Sequence, residues 1–279
     1  MRSVVARGLL SALAVVGIAG CTANPLSRPP PAPAVAMSPP PPAETKAEER
    51  RDRYIERALE QAPPAGLQGR REIGVGTGFF IAPDKVLTNY HVAGQCAAVT
   101  VGNGVEGKEV HAKLVAGSPS DDLAVIETAA PMAEPARFET ALYTETGNNL
   151  AVVGYPEHGL VVLEAELRPI SAREQDLVSA RPRYFFHGSV HPGNSGSPVL
   201  DDTGAVVGVV VAKVDTVAVY QRSGHVVDDI GFAIANRTVF DFLRRSAIAY
   251  LPARPSRGLT PDQLLKKANG FVRQVGCWR

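Results

Sequence analysis

The chain has 279 residues, 45% of them hydrophobic, and 29 Lys and Arg against 28 Asp and Glu give a formal net charge of +1. That balance gives no electrostatic reason to expect nucleic acid or an acidic substrate as a partner. The length exceeds one small domain and falls short of two enzymatic ones, and short Val-rich runs punctuated by 26 Gly read as an all-β protein.

Residues 1–20 read as an export signal. Arg2 and Arg7 form a basic start, and residues 9–19 are an apolar stretch too short to span a bilayer comfortably. The stretch stops at Ile18-Ala19-Gly20-Cys21, which resembles the lipobox of bacterial lipoproteins. That resemblance implies cleavage before Cys21 and lipidation of Cys21, so that the exported chain is anchored to a membrane. Stable anchoring needs more than one acyl chain. Thr22 rather than Asp follows the cysteine, which resembles sorting to the outer membrane, facing the periplasm. An ordinary cleaved signal with an incidental cysteine is the alternative. Residues 21–69 then form a linker. Its Pro-rich tract, 25–42, suits an extended spacer. Residues 43–61 suit a charged helix with a narrow stripe of Tyr54, Ile55 and Leu59, stopped by Pro63 and Pro64.

The folded part begins near Arg70. Strands are expected at 73–81, 86–88, 98–101, 110–115, 123–127, 150–154, 161–169, 177–186, 198–200, 206–211, 217–221 and 230–234. Repeated short strands suggest a sandwich or barrels, and the weakly periodic stretch 130–147 suits a link between two halves. After Asn236 the spacing of Val239, Phe240, Leu243 and Ile248 is helical. Thr260-Pro261-Asp262 opens a second helix with an N-cap and a proline at its first position. Residues 250–279 therefore read as a helical tail. An exported chain meets an oxidising compartment, which allows a Cys96–Cys277 disulfide tying that tail to the first half of the domain. Two separate thiols are the alternative.

Three segments carry chemistry in combination: Thr88-Asn89-Tyr90-His91-Val92-Ala93, Asp121-Asp122-Leu123-Ala124-Val125-Ile126 and Pro192-Gly193-Asn194-Ser195-Gly196-Ser197-Pro198. Alone, each has a plain reading as a satisfied polar residue, a turn aspartate or a Gly-rich turn. In the order His, Asp, Ser they supply what a serine nucleophile requires. A hydroxyl is weakly nucleophilic at neutral pH and needs a base within hydrogen-bond reach. Histidine has the right pKa range, and a carboxylate fixes its tautomer and stabilises the imidazolium. Glycines beside Ser195 permit a tight turn that exposes main-chain N–H groups. Those of Gly193 and Ser195 can converge on an oxyanion, where one donor lowers a barrier by about 3–4 kcal/mol.

These segments, with Gly76-Thr77-Gly78-Phe79, Gly204-x-Val206-Val207-Gly208 and Gly231-Phe232-Ala233-Ile234, resemble the trypsin-like peptidases, in particular their bacterial HtrA-type and glutamyl-endopeptidase-type branches. The resemblance covers about residues 72–236. It implies a peptidase domain over 70–249 built of two six-stranded antiparallel β-barrels, about 70–140 and 148–236, with a helical C-terminal extension. It implies a serine endopeptidase acting on polypeptides through an acyl-enzyme, with no cofactor and no metal. His91 becomes the general base, Asp122 the orienting acid and Ser195 the nucleophile, with Gly193 and Ser195 as oxyanion donors. Asp121 is the rival acid; Asp122 is preferred because the family's aspartate directly precedes the Leu-Ala-Val strand. Asn194 stands where digestive relatives carry an aspartate that pairs with a freed N-terminus, which argues against activation of that kind. Val210 stands where glutamyl-specific relatives carry histidine. Ser189, Val190, Val210 and Ala212 are expected to line a small apolar pocket suited to small or aliphatic side chains. A catalytically silent binding lipoprotein on the same fold, and a latent peptidase activated by a partner, are the competing readings. The HtrA relatives carry PDZ modules, and no segment of that length follows here.

Overall fold

The computed structural model describes residues 66–102, 109–140, 149–156, 161–167, 183–188, 190–213, 221 and 230–279. Cys21, the expected signal, the Pro-rich spacer and the charged helix lie outside the described residues, as do Ser189 and nearly all of the strand expected at 217–221.

The first barrel starts with β1 (Glu72–Ala82), whose run Thr77 to Ile81 is buried on both faces. Pro83 and Asp84 turn the chain into β2 (Lys85–Thr88), which pairs back through Phe79 with Leu87 and Phe80 with Val86. A one-turn helix, α1 (Tyr90–Ala93), leads to β3 (Ala98–Gly102), β4 (Val110–Ser118) and β5 (Leu123–Thr128). These five strands do not close the barrel. The sixth staple is β14 (Val272–Trp278), which inserts between β1 and β3 to give the closed order β1-β14-β3-β4-β5-β2. The tail expected to be helical therefore ends in a barrel strand. Its residues explain why: Phe271, Val272, Val275, Cys277 and Trp278 are all buried, and the Trp278 indole donates to Thr100 Oγ1 at 2.9 Å. Two main-chain bonds between Arg71 and Arg279 extend the β1–β14 pairing.

The second sheet contains β7 (Asn149–Gly154), β8 (Val161–Leu167), β9 (Arg183–His187), β10 (Pro198–Leu200), β11 (Val206–Lys213) and β12 (Ile230–Ala235). All pair antiparallel in the order β10-β7-β8-β9-β12-β11, and β10 also pairs with β11, which returns the ring on itself. Two short parallel strands, β6 (Arg137–Phe138) and β13 (Leu251–Pro252), append to the start of β11. The architecture is the two-barrel, mostly β one that the sequence implies.

Helix α3 (Pro261–Asn269) falls where capping chemistry predicts: the Thr260 hydroxyl accepts from the Gln263 N–H, the Gln263 side chain accepts from the Thr260 N–H, and Pro261 occupies the first turn. Helix α2 (Asn236–Arg245) buries Val239, Phe242 and Leu243. Its face joins a core that runs from Phe79 and Phe80 of the first barrel to Leu200, Val209 and Ile234 of the second. A separate cluster of Leu150, Val152, Phe186, Val190, Val199, Val207, Val210 and Ala233 fills the second barrel. Cys96, just after α1, is bonded to Cys277 of β14, with the Cα atoms 5.3 Å apart. Beside it, Glu72 lies opposite Trp278; burial, and then the charge of Glu109, push its carboxyl from 4.5 up to about 7. Among the described residues no helix is long and apolar enough to cross a membrane.

Candidate active site

His91 is carried by α1, directly after β2 ends at Thr88. Asp122 enters from the turn before β5, which pairs with β2 and so brings residues 31 apart into contact. The imidazole Nδ1 lies 2.8 Å from Asp122 Oδ2 and 3.0 Å from Oδ1. A carboxylate can only accept, so Nδ1 carries the proton and Nε2 keeps its lone pair for a substrate-side proton. The main-chain N–H of His91 also donates to Oδ1, at 3.0 Å, so one carboxylate fixes both the ring and its backbone. Asp122 adopts φ 56°, a left-handed conformation that aspartate tolerates better than most residues. The fully buried Asn89 holds it there, its amide donating to the Asp122 carbonyl at 2.9 Å. The Asp122 side chain is 16% exposed and that of His91 49%, so the ring reaches the surface while its partner is sheltered.

The neighbouring carboxylate is committed elsewhere. Asp121 Oδ2 accepts from the Arg245 guanidinium at 2.6 Å and from the Ser118 hydroxyl at 2.8 Å. The choice between Asp121 and Asp122 thus comes down to geometry, and only Asp122 meets the imidazole.

Ser195 sits on a turn between the barrels. The His191 carbonyl accepts from Asn194 N–H at 3.0 Å, with Pro192 in the second position and Gly193 at φ 95° in the third. Proline followed by a positive-φ glycine is the pattern of a type II turn. Gly196, at φ 87°, is required by contact: a Cβ there would run into the Thr77 carbonyl and the Thr88 hydroxyl. Among the described residues, the N–H groups of Gly193 and Ser195 are given to no acceptor, whereas those of Asn194, Gly196 and Ser197 are all engaged. The Ser195 hydroxyl donates to the Val211 carbonyl at 2.9 Å. Among the described residues no hydrogen bond joins it to His91 in this arrangement.

Of the four expected pocket residues, Val190 and Val210 have described side chains. Val190 and Val210 are 5% and 0% exposed and pack with Phe186 in the second-barrel core. Across from them a Cβ on Gly231 would lie 2.5–2.6 Å from the Phe186 ring and from Val190. Phe186, which sequence reasoning missed, therefore occupies the space behind this strand; the alternation of β9 is its only local signal. Ala212 lies on β11, and its side chain, like Ser189, is outside the described residues. Thr77 and Asn89 were also missed as site residues, although both sit inside the motifs that carry the resemblance. Asn194 is fully buried, and neither atom of its amide has a partner among the described residues. No group of three or more His, Cys, Asp or Glu able to hold a metal is found among the described residues.

Comparison with known proteins places the domain in a family. Residues 76–209 match the family model of the trypsin-like peptidase domain. The y4bJ protein of Sinorhizobium fredii is 28% identical over 218 residues, covering 77% of this chain and 34% of its own. The serine protease Rv3671c of Mycobacterium tuberculosis is 35% identical over 142 residues, covering 48% of this chain and 35% of its own. The crystal structure of a serine-to-alanine mutant of Rv3671c in an inactive form superposes with a TM-score of 0.51 at 28% identity, covering 64% of this chain and 84% of that one. A probable periplasmic serine endoprotease, DegP-like, of Brucella suis is 32% identical over 173 residues, covering 60% of this chain and 32% of its own. The chain spans about a third of the length of these curated relatives.

Proposed function

We propose, from the premise that this chain carries a trypsin-like peptidase domain, that it is a serine endopeptidase that cleaves peptide bonds of exported proteins with Ser195, His91 and Asp122. The observation that carries the reading is the single carboxylate of Asp122 accepting from both Nδ1 and the main-chain N–H of His91. That arrangement prepares Nε2 as a base and has no comparable value for a protein that only binds.

In the proposed reaction the Ser195 hydroxyl leaves the Val211 carbonyl, gives its proton to His91 Nε2 and attacks the scissile carbonyl. The carbonyl oxygen gains negative charge and takes the Gly193 and Ser195 N–H groups. His91 returns the proton to the departing amine, leaving an acyl-enzyme. A water, deprotonated by His91, releases the acid and regenerates the hydroxyl. A pocket formed by Ser189, Val190, Val210 and Ala212 would suit small or aliphatic side chains at the residue before the cleaved bond. A fluorophosphonate probe tests the reading: it is expected to label the folded wild type and not Ser195→Ala. A folded wild type that stays unlabelled points to a binding protein instead.

One observation favours a second reading, a peptidase held latent. The nucleophile's hydrogen bond to Val211 is a stable alternative to the one it needs with His91. Activity that appears only once residues 22–69 are removed, or a partner is added, supports latency. The residues around Cys21 support export with lipid anchoring, facing the periplasm from the outer membrane, and the Brucella relative is named as periplasmic. Labelled palmitate should enter the wild type and not Cys21→Ala.

A further inference from the structure

We propose that Thr77 is the positioning residue of the oxyanion turn, setting the direction of the Gly193 and Ser195 N–H groups from the opposite barrel. The inference rests on the peptidase reading for its kinetic consequence and on hydrogen bonds alone for its structural one. Thr77 is fully buried in β1, and every polar group it owns is used. Its hydroxyl donates to the Gly193 carbonyl at 2.7 Å and accepts the Tyr155 N–H at 3.0 Å. Its main-chain N–H donates to the Ser195 carbonyl at 2.8 Å. Its carbonyl accepts from the Thr88 hydroxyl at 2.7 Å, one residue before Asn89 and three before His91.

The peptide unit joining Gly193 to Asn194 is therefore held at both ends. Thr77 takes its carbonyl, and the His191 carbonyl takes its N–H at 3.0 Å. With that peptide fixed at both ends and Ser195 fixed at its carbonyl, the backbone that follows the Gly193 and Ser195 N–H groups is anchored to β1. Gly193 at φ 95° keeps the turn of type II, and the anchored backbone sets the frame from which both N–H groups point. A hydroxyl is needed, because only it can donate to Gly193 and accept from Tyr155 together. A β-branched residue also holds χ1 stiffly enough to keep both bonds. Gly154 completes the device: a Cβ there would lie 3.1 Å from Thr77 Oγ1 and 3.0 Å from Asn194 Oδ1, and would collide with the Ser197 hydroxyl.

Thr77→Val keeps the shape and removes the hydroxyl; Thr77→Ser keeps the hydroxyl. With a peptidyl-alanine p-nitroanilide as substrate, Thr77→Val is expected to lower kcat about 10- to 100-fold, less than or comparable to losing one oxyanion donor outright. KM should stay within about twofold, and Thr77→Ser should recover most of kcat. Wild-type kcat in Thr77→Val, a loss confined to KM, or equal damage in Thr77→Ser overturns the proposal. Thr77→Ala replaces Thr77→Val if the latter does not fold. Wild type that neither turns over substrate nor reacts with fluorophosphonate counts against the peptidase reading instead, and the amide NMR signals of Gly193 and Asn194 then decide. They should shift and exchange faster in the hydroxyl-less variant than in Thr77→Ser; unchanged signals overturn the inference.

Discussion

Asp122 combines a left-handed backbone with three contacts to the segment bearing His91. That conformation costs an L-residue about 1–2 kcal/mol, and it aims the carboxylate at the ring instead of along the strand. Asp122→Asn is expected to lower kcat by about 10⁴-fold with little change in KM, since an amide can donate to Nδ1 and fix the wrong tautomer. Asp121→Asn should retain near-wild-type kinetics and lose only its exposed pair with Arg245, a change of about 1 kcal/mol or less. Steady-state kinetics on both variants check this. Glu72 predicts a pH dependence of another kind. Its folded pKa, about 7, lies above the ordinary 4.5, so the folded state holds the proton more tightly. The stability it contributes is complete below 4.5 and is lost as pH rises through 7. Thermal melts of the wild type should therefore fall across that window, and those of Glu72→Gln should fall less steeply.

At the scale of elements, β14 is what the first barrel cannot do without. It supplies the wall between β1 and β3, and its Val272 and Val275 are fully buried. A chain ending at Gly270 should fail to give a cooperatively folded product by circular dichroism, because two strands would be left with open edges. The disulfide adds to the same seam. Its closed loop spans 181 residues, and replacing Cys96 and Cys277 by serine should cost about 2–5 kcal/mol in denaturant unfolding. Much of this fold was legible in the sequence: β2, β3, β5, β10, β11 and β12 follow from compact Val-, Leu- and Ile-rich runs between turn residues. β14 was not, because seven residues behind a well-capped helix carry no mark of partners almost two hundred positions away. The site divides in the same way. His91 and Ser195 are local motifs in a telling order. Thr77 meets Gly193 across 116 positions, and the packing of Phe186 against Gly231 and Val190 depends on how the strands pair.

For the described residues as a whole, the main core does not stop at a barrel boundary. Phe79 and Phe80 share it with Leu200, Val209, Ile234 and Phe242. The chain crosses from the second barrel back to the first through α3, and Thr77 bonds the nucleophile turn to β1. Two barrels joined this closely should unfold together. Calorimetry is expected to show one transition with matching van't Hoff and calorimetric enthalpies, and two resolved transitions would contradict it.

The place of β14 at the end of the order also sets a clock. A ribosome delivers the strands one after another, and domains fold as their parts emerge. The wall that carries His91 cannot close until residues 272–278 are released, by which time every other part of the cleft has been made. Nascent chains stalled before residue 272 should accordingly stay inert to fluorophosphonate. On the peptidase reading, a chain whose β14 has not yet emerged is harmless to the machinery that makes it.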